Sequence, residues 1–355
     1  MEKEILKDLV AINTIKDYEN TKFREYIKKY LEKFNFSFEE IGTGFRKVLI
    51  AKRNNATIGF ICHTDTVGDS KYWTKEALKL TEDETYYYGL GVSDMKGGIA
   101  ALLAAVARLE TDVPCMLCFT YDEECEFGGV KDLLKAGITL PKTLVFTEPT
   151  DLQLVIANKG CLEFKVEFKG RSAHSSTPDL GDNALYKALA FINELRGFAL
   201  QLEKEKEPLF EVNYTTFNLS KMVGGEAINK VPDSCIIAFD FRTIKKEHNL
   251  LIKRIIKEFG QKYGAKVEIL TDIGASLNNN SVMIERVKKI INVSKCVGLN
   301  YATEASFFTE NDIFILGPGP VTAHEPDEKI SKESYKNTID IYQEILMDFA
   351  KSRDK

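Results

Sequence analysis

The chain has 355 residues with a hydrophobic content of 44%, which is enough for a buried core and typical of two domains. Its net charge is −5 and its Lys and Arg residues are dispersed, so we expect no nucleic-acid partner. The longest apolar run covers residues 99–107, far short of the roughly 20 residues that span a bilayer, so we expect no membrane association.

The amino terminus predicts an amphipathic surface helix, because charged and apolar side chains alternate without the apolar core of a signal peptide. We therefore expect a soluble, cytoplasmic protein. Seven cysteines, an odd number, lie mostly in apolar strand contexts, which favours buried reduced thiols over disulfides. Cys115 and Cys118 match Cys-x-x-Cys, but residues i and i+3 of a strand face opposite ways, so we interpret both as structural.

Residues 1–161 alternate predicted helices and strands, and this order is typical of βαβ units with a largely parallel sheet. The sequence thus predicts an α/β catalytic domain with helices on both faces of the sheet. The helices are predicted near 3–12, 20–34 and 97–109, and the strands near 48–51, 58–62, 116–119 and 144–146.

The pattern changes at Leu162, where apolar residues begin to alternate strictly with charged ones, as in a half-solvated strand. Elements in the order βαββαβ predict an inserted ferredoxin-like α+β domain over residues 162–273. Its first helix is predicted near 182–197, with Asp182 as the N-cap. Residues 274–355 are predicted to return to the first domain and to end in an amphipathic helix. The remaining elements are predicted near 212–222, 234–242, 246–262 and 266–270.

Several apolar runs stop at a histidine or a carboxylate, and these side chains carry the functional signal. The carboxyl ends of parallel strands meet at one edge of a sheet, so residues far apart in the chain can converge there. Two histidines with several carboxylates at one edge indicate a metal site, and a hydrolytic one. The residues concerned are His63, Asp65, Asp94, Glu123, Glu124, Glu148 and His324.

The remaining acidic and histidine residues allow different readings. Asp65 could receive the second ring N–H of His63 and so fix its tautomer. In the pair Glu123–Glu124, one carboxylate could bind metal while the other takes a proton from water, or both could form a solvated edge. His174 lies in a polar loop of the insert, and His248 is predicted to be a solvated surface residue.

Two other functions are weighed against the hydrolytic one. Gly89 and Gly91 precede a helix as in a nucleotide-dependent oxidoreductase, but Asp94 occupies the position of the third glycine and would repel phosphate. Gly97 and Gly98 more simply allow the helix start to pack closely on the sheet. A metal-binding protein without catalysis is the other alternative, and the presence of Glu123 argues against it.

Taken in order, these motifs resemble the dinuclear zinc hydrolases that include acetylornithine deacetylase, succinyl-diaminopimelate desuccinylase and glutamate carboxypeptidase. The resemblance covers essentially the whole chain. It rests on the segments 63–65, 93–98, 122–124, 147–150, 224–229 and 323–328 together with the loop around His174.

The resemblance implies a role for each matching residue, with two divalent metal ions as cofactors, zinc first and cobalt or manganese as alternatives. Asp94 would bridge the metals, and its peptide bond to Met95 would be cis. Glu123 would be the general base, and Asp65 would orient His63. His174 would stabilise the oxyanion across a homodimer interface formed by the insert. The implied ligands are His63 and Glu148 for one metal and Glu124 and His324 for the other, and the implied substrate contacts are Asn229 and Arg242.

Within this family, segments 301–308 and 317–320 are most similar to acetylornithine deacetylase, which implies a role in arginine biosynthesis. The expected reaction is hydrolysis of the N-acyl amide of a small amino acid, first N²-acetylornithine. Acetyl-lysine, acetyl-citrulline, succinyl-diaminopimelate and dipeptides are the alternative substrates. We expect Glu304 to lie near the cationic side chain of the substrate, with a solvated or capping role as the alternative.

Overall fold

Continuous apolar runs and helical periodicity set the elements of this computed structural model, which describes residues 1–15 and 20–351. In this part of the chain the helices are α1 (Glu2–Ala11), α2 (Thr21–Leu31), α3 (Lys96–Ala107), α4 (Gly128–Lys135), α5 (Ala184–Leu202), α6 (Lys246–Lys262), α7 (Ser281–Ile290) and α8 (Lys332–Lys351).

The strands fall into three sheets. They are β1 (Ser37–Ile41), β2 (Val48–Arg53), β3 (Ile58–His63), β4 (Thr81–Glu82), β5 (Tyr86–Tyr88), β6 (Cys115–Thr120), β7 (Thr143–Phe146), β8 (Val155–Asn158), β9 (Gly160–Lys169), β10 (Thr216–Gly224), β11 (Ser234–Thr243), β12 (Lys266–Ile273), β13 (Ser276–Leu277), β14 (Val297–Leu299), β15 (Asp312–Ile315) and β16 (Lys329–Ser331).

The chain divides into two compact units, and the second is inserted into the first. The first unit contains Met1–Ile156, Asn278–Val297 and Phe308–Lys355, and the second contains Ala157–Leu277 and Gly298–Phe307. The predicted boundaries, 161/162 and 273/274, lie a few residues from these limits. The sequence pattern did not indicate that the segment Gly298–Phe307 belongs with the second unit.

The large sheet of the first unit is mostly parallel at its centre, as predicted. Its neighbouring strands β6, β3, β7 and β15 run parallel, and β2 joins β6 antiparallel. Every residue of these four parallel strands is buried. Burial on both faces explains why their sequences are continuous apolar runs without alternation.

Helix α3 approaches the first unit's loops and sheet closely because its first turn contains two glycines. A Cβ on Gly97 would collide with the carbonyl oxygen of Val92, and one on Gly98 with that of Thr147. The predicted packing role of this glycine pair is therefore confirmed. The predicted apolar face of α8 is also buried, at Tyr335, Ile339, Tyr342, Leu346 and Phe349.

The sheet of the second unit is entirely antiparallel, in the order β10-β11-β9-β12. Strand β9 alternates buried and half-buried residues from Leu162 onward, as its sequence predicts. Helices α5 and α6 contribute Phe191, Leu195, Ile252 and Ile256 to the core that covers this sheet. The chain order of these elements is the predicted βαββαβ.

Two local predictions for the second unit were wrong. Helix α5 is capped by Asn183, whose side chain accepts hydrogen bonds from the backbone N–H groups of Leu185 and Tyr186, whereas Asp182 forms an exposed ion pair with Lys187. His248 is 1% exposed rather than solvated. Its Nδ1 lies 2.6 Å from the Thr215 hydroxyl, and burial lowers the pKa of its ring.

Five cysteines predicted to be buried thiols (Cys62, Cys115, Cys118, Cys161 and Cys235) are buried. Over residues 1–15 and 20–351, every helix is too short or too polar to span a bilayer.

The capping geometry of α5 predicts different costs for two adjacent substitutions. Asn183→Ala removes an acceptor for two N–H groups, at 2.9 and 3.3 Å, and should lower the free energy of unfolding by about 1 kcal/mol. Asp182→Ala, the matched control, removes only an exposed ion pair and should cost less than about 0.5 kcal/mol. Urea unfolding of both variants measures the difference, and equal costs would contradict the capping role of Asn183.

Candidate metal centre

The predicted site residues of the first unit lie beyond the carboxyl ends of adjacent parallel strands. His63 is the last residue of β3, and Glu148 follows β7. Glu123 and Glu124 follow β6. Asp65 follows β3, and the two remaining residues lie on loops, Asp94 between β5 and α3 and His324 between β15 and β16.

One group of three possible ligands is mostly buried. His63 Nε2 lies 3.0 Å from Asp94 Oδ1 and 3.7 Å from Glu148 Oε2. The His63 side chain is 1% exposed, and that of Glu148 is 7% exposed. This group therefore places an imidazole nitrogen and two carboxylate oxygens around one buried point, within 4.8 Å of one another.

A second group of three shares Asp94 and opens to solvent. His324 Nε2 lies 3.0 Å from Glu124 Oε2 and 3.6 Å from Asp94 Oδ2. The His324 side chain is 55% exposed. Its backbone has a positive φ of 66°, which non-glycine residues rarely adopt and which often occurs at functional sites.

Asp94 belongs to both groups and uses a different oxygen in each. Oδ1 faces His63 and Oδ2 faces His324, which is the arrangement of a carboxylate that bridges two cations. The Asp94–Met95 peptide is cis, as the sequence resemblance implied. The structure thus brings the five predicted ligands together as two groups joined by Asp94.

The hydrogen bonding of His63 fits metal ligation. Its Nδ1 lies 3.0 Å from the backbone carbonyl oxygen of Asp65, which can only accept, so Nδ1 carries the proton. In the neutral ring the lone pair of Nε2 then points towards the carboxylates of Asp94 and Glu148. A lone pair facing two carboxylates is unfavourable unless a cation lies between them, so these residues fit a bound divalent ion.

Asp65 differs from its predicted role in one respect. Its carboxylate is 3.7 Å from His63 Nδ1, farther than its own carbonyl oxygen. The two carboxylate oxygens instead accept the backbone N–H groups of Glu123, at 3.2 Å, and Glu124, at 3.1 Å. Asp65 therefore orients His63 through its backbone and holds the loop of Glu123 and Glu124 through its side chain.

Burial and mutual repulsion make this cluster unfavourable when all its carboxylates are charged. Burial raises the pKa of Glu123 well above its ordinary value. The carboxylates of Glu148, Glu124 and Asp94 raise it further, whereas His63 lowers it. Burial likewise raises the pKa of Glu148 to about 7. A hydrogen bond with Glu124 raises the pKa of His324 to about 9. The cluster therefore favours positive charge, either protons or metal ions.

Sequence reasoning assigned no role to Glu328, although the residue lies in one of the motifs. Its side chain is buried and accepts backbone N–H groups from Gly91, Ser93 and Asp94. Burial raises its pKa to about 8, while these three N–H donors oppose the shift. The only indication of a role for Glu328 in the sequence was its position as an acidic residue directly before a short strand.

Four predicted residues lie in the second unit, whereas the ligand groups lie in the first. Ser176 N–H donates to His174 Nδ1 at 3.2 Å, so the neutral ring carries its proton on Nε2. Arg242 donates from Nε to Asp240 at 3.3 Å, and Asn229 accepts the N–H of Ser175 through its backbone carbonyl oxygen.

Glu304, the fourth of these residues, is 1% exposed in a short 3₁₀ turn that ends at Phe307. Its burial contradicts the alternative that it is a solvated residue.

The chain matches a protein family and a relative of known name over most of its length. The family model for peptidase family M20/M25/M40 matches residues 59–348. The acetylornithine deacetylase of Buchnera aphidicola subsp. Acyrthosiphon pisum is 30% identical to the chain, over 98% of this chain and 97% of that protein.

Solved structures share the same fold at lower identity. Aminopeptidase PepT from Bacillus cereus superposes with a TM-score of 0.81 at 21% identity, covering 98% of each chain. A dinuclear metal-binding peptidase of the M20 family from Bacillus subtilis superposes with a TM-score of 0.71 at 13% identity, covering 97% of this chain and 96% of that one. The family match and the full-length relative agree with the site geometry: the chain belongs to peptidase family M20/M25/M40 and is a metal-dependent hydrolase.

Proposed function

We propose that the protein removes the acyl group from a small N-acyl amino acid, most specifically the acetyl group of N²-acetylornithine, with two divalent cations as cofactors. The observation that carries this proposal is Asp94, whose two oxygens face two different histidines 3.0 and 3.6 Å away. Support for the substrate comes from the acetylornithine deacetylase that matches nearly the whole chain.

The donor set favours zinc, with cobalt and manganese as ions that the same imidazole and carboxylate ligands accept. His63, Asp94 and Glu148 would hold one cation, and Asp94, Glu124 and His324 the other. The dinuclear metal-binding peptidase of the same fold supports a site for two cations rather than one. Bound there, the cations would polarise the scissile carbonyl and make a water molecule acidic enough to react near neutral pH.

Glu123 is the proposed general base because it is not needed as a ligand and lies among them. Its carboxylate lies close to those of Glu124, Glu148 and Asp94, where it would take a proton from the attacking water. It then returns this proton to the leaving nitrogen. The return is essential, since an amide anion is too basic to leave.

His174 is proposed to stabilise the negative oxygen that develops during attack. Because Nδ1 accepts the N–H of Ser176, the neutral ring can donate from Nε2. We propose that the second unit forms a homodimer and acts as a lid, so that His174 serves the partner's site. Asn229 and Arg242 are the proposed substrate contacts, Arg242 for the α-carboxylate. The buried thiols fit a reducing compartment, so we propose a cytoplasmic location.

Glu304 is the proposed partner of the substrate's terminal ammonium group. A carboxylate sheltered from water attracts a cation more strongly than a solvated one, so its 1% exposure suits contact with a positively charged side chain. A substrate with a neutral end would lack this interaction.

The role of Glu123 predicts a loss of turnover without a loss of metal. Glu123→Gln should lower kcat for N²-acetylornithine by on the order of 10²–10⁴-fold, because no other base replaces it. Metal analysis of the same sample should still find both cations. Glu126→Gln, an exposed neighbour in the same loop, is the control and should retain full activity. Unchanged turnover of Glu123→Gln would favour the non-catalytic alternative.

The role of Glu304 predicts a change in selectivity rather than in chemistry. N²-acetylornithine and N²-acetylcitrulline differ in charge but little in size, so the ratio of their kcat/KM values isolates the charge contact. Glu304→Gln should reduce the preference for acetylornithine by roughly tenfold or more, equivalent to about 1.4 kcal/mol. The exposed Glu310→Gln is the control.

An unchanged ratio in Glu304→Gln would refute this contact. If the wild-type protein prefers acetyl-lysine, succinyl-diaminopimelate or a dipeptide, the proposed metal centre would stand but the proposed substrate would be wrong.

The proposed action of His174 across a dimer predicts complementation between two inactive variants. Glu123→Gln and His174→Gln should each be nearly inactive as homodimers. After mixing and subunit exchange, a heterodimer has one site with an intact Glu123 and an intact His174 from the opposite chain, so activity should return. Size-exclusion chromatography with light scattering confirms the dimer. Failure to recover activity in proven heterodimers would place His174 in its own subunit's site.

A further inference from the structure

The loop that carries Asp94 is held by one buried carboxylate. Glu328 Oε1 accepts the backbone N–H groups of Ser93, at 2.7 Å, and Asp94, at 2.9 Å. Its Oε2 accepts the N–H of Gly91 at 2.7 Å. Three backbone N–H groups thus find their acceptors on one carboxyl group, so this loop is fixed at three points by a single side chain.

Burial makes these three bonds hard to replace. Glu328 is 2% exposed and Ser93 is fully buried, so water cannot readily take the place of the carboxylate. A buried N–H group left without an acceptor costs about 1–3 kcal/mol. The loop would therefore have to move to find new acceptors if Glu328 were lost, and Asp94 would move with it.

The same residue also connects the loop of Asp94 to that of His324. Glu328 follows His324 closely in sequence, and its backbone carbonyl oxygen accepts the N–H of Gly89 at 3.1 Å. A second contact joins the same two loops: Ser93 Oγ, in the loop of Asp94, accepts the N–H of Thr322, in the loop of His324, at 3.2 Å. The positions of Asp94 and His324 are therefore set relative to each other by a common set of contacts.

We propose that Glu328 is a positioning residue that aims the two oxygens of Asp94 at separate cations and thereby sets the affinity of the metal pair. The proposal rests on the two-cation site described above and deepens it. Glu328 is a member of neither ligand group, so it acts through the backbone of Asp94 rather than by binding metal.

The chemistry of the three bonds predicts which substitution is informative. Glutamine has nearly the shape of glutamate, but its amide NH₂ is a donor. In either orientation Glu328→Gln would place this donor against at least one of the backbone N–H groups of Gly91, Ser93 and Asp94. The variant thus disturbs the position of Asp94 with little change of volume.

The experiment is a titration of metal-free protein with Co²⁺, followed by its visible absorption and by the stoichiometry of bound ion. Wild-type protein should bind two ions. Glu328→Gln should bind the pair roughly 10- to 100-fold more weakly, the usual effect of losing a residue that orients a ligand. Thermal unfolding of each metal-free variant is measured alongside, to separate affinity from stability.

Two controls match Glu328 in different ways. Asp312→Asn alters a buried carboxylate that also accepts a hydrogen bond, from Asn280, but lies at the amino end of β15. Glu325→Gln alters an exposed acid in the loop of His324. Both should retain wild-type Co²⁺ affinity, even though Asp312→Asn lowers the unfolding temperature.

The outcomes separate this inference from the proposed function. Wild-type binding of two ions with equally tight binding by Glu328→Gln would overturn the positioning role alone. Fewer than two ions on the wild-type protein would overturn the two-cation site and the inference with it. If Glu328→Gln does not fold, Glu328→Asp decides: its carboxyl group is kept but its reach is shorter, so Co²⁺ affinity should fall, and an unchanged affinity would refute the role.

Discussion

Charge repulsion among buried carboxylates is the constraint on which the catalytic unit depends. Asp94, Glu124 and Glu148 crowd around two histidines, with Glu123 beside them. Burial, together with the nearby charges of Asp94 and Glu124, disfavours the ionised form of Glu148, and its pKa rises to about 7. Divalent cations remove this penalty, so folding of the site and metal binding are coupled.

A second feature follows from the need to hold these ligands against their repulsion. Two further carboxylates, those of Asp65 and Glu328, are directed at backbone N–H groups rather than at the centre. Asp65 accepts from Glu123 and Glu124, and Glu328 accepts from Gly91, Ser93 and Asp94. Each fixes a loop that would otherwise be free to relax away from its charged neighbours. These hydrogen bonds let loops, rather than strands, hold the ligand side chains as precisely as a bridging carboxylate requires.

The sequence predicted the convergence of the ligands because strand ends are visible in it. An apolar run that stops at His63 or Glu148 marks both a buried parallel strand and its carboxyl end, and neighbouring parallel strands share that edge. Residues whose role depends on tertiary contacts were not predictable in this way. His248 lies among charged residues in the sequence, yet packing against Thr215 buries it. Glu328 shows no pattern until its three N–H partners, distant in sequence, are placed beside it.

The two ligand groups differ in exposure, and this asymmetry has a consequence for catalysis. His63 is 1% exposed whereas His324 is 55% exposed, so one cation position is enclosed by protein and the other faces solvent. With two cations bound as proposed, an amide substrate would reach them from the open side, where protein ligands would leave coordination positions free. A cation held at the enclosed position by His63, Asp94 and Glu148 would then serve mainly to add positive charge to the site. Asp94 belongs to both groups. A movement of its loop would therefore weaken both the positive charge at the enclosed position and the access of substrate to the open one.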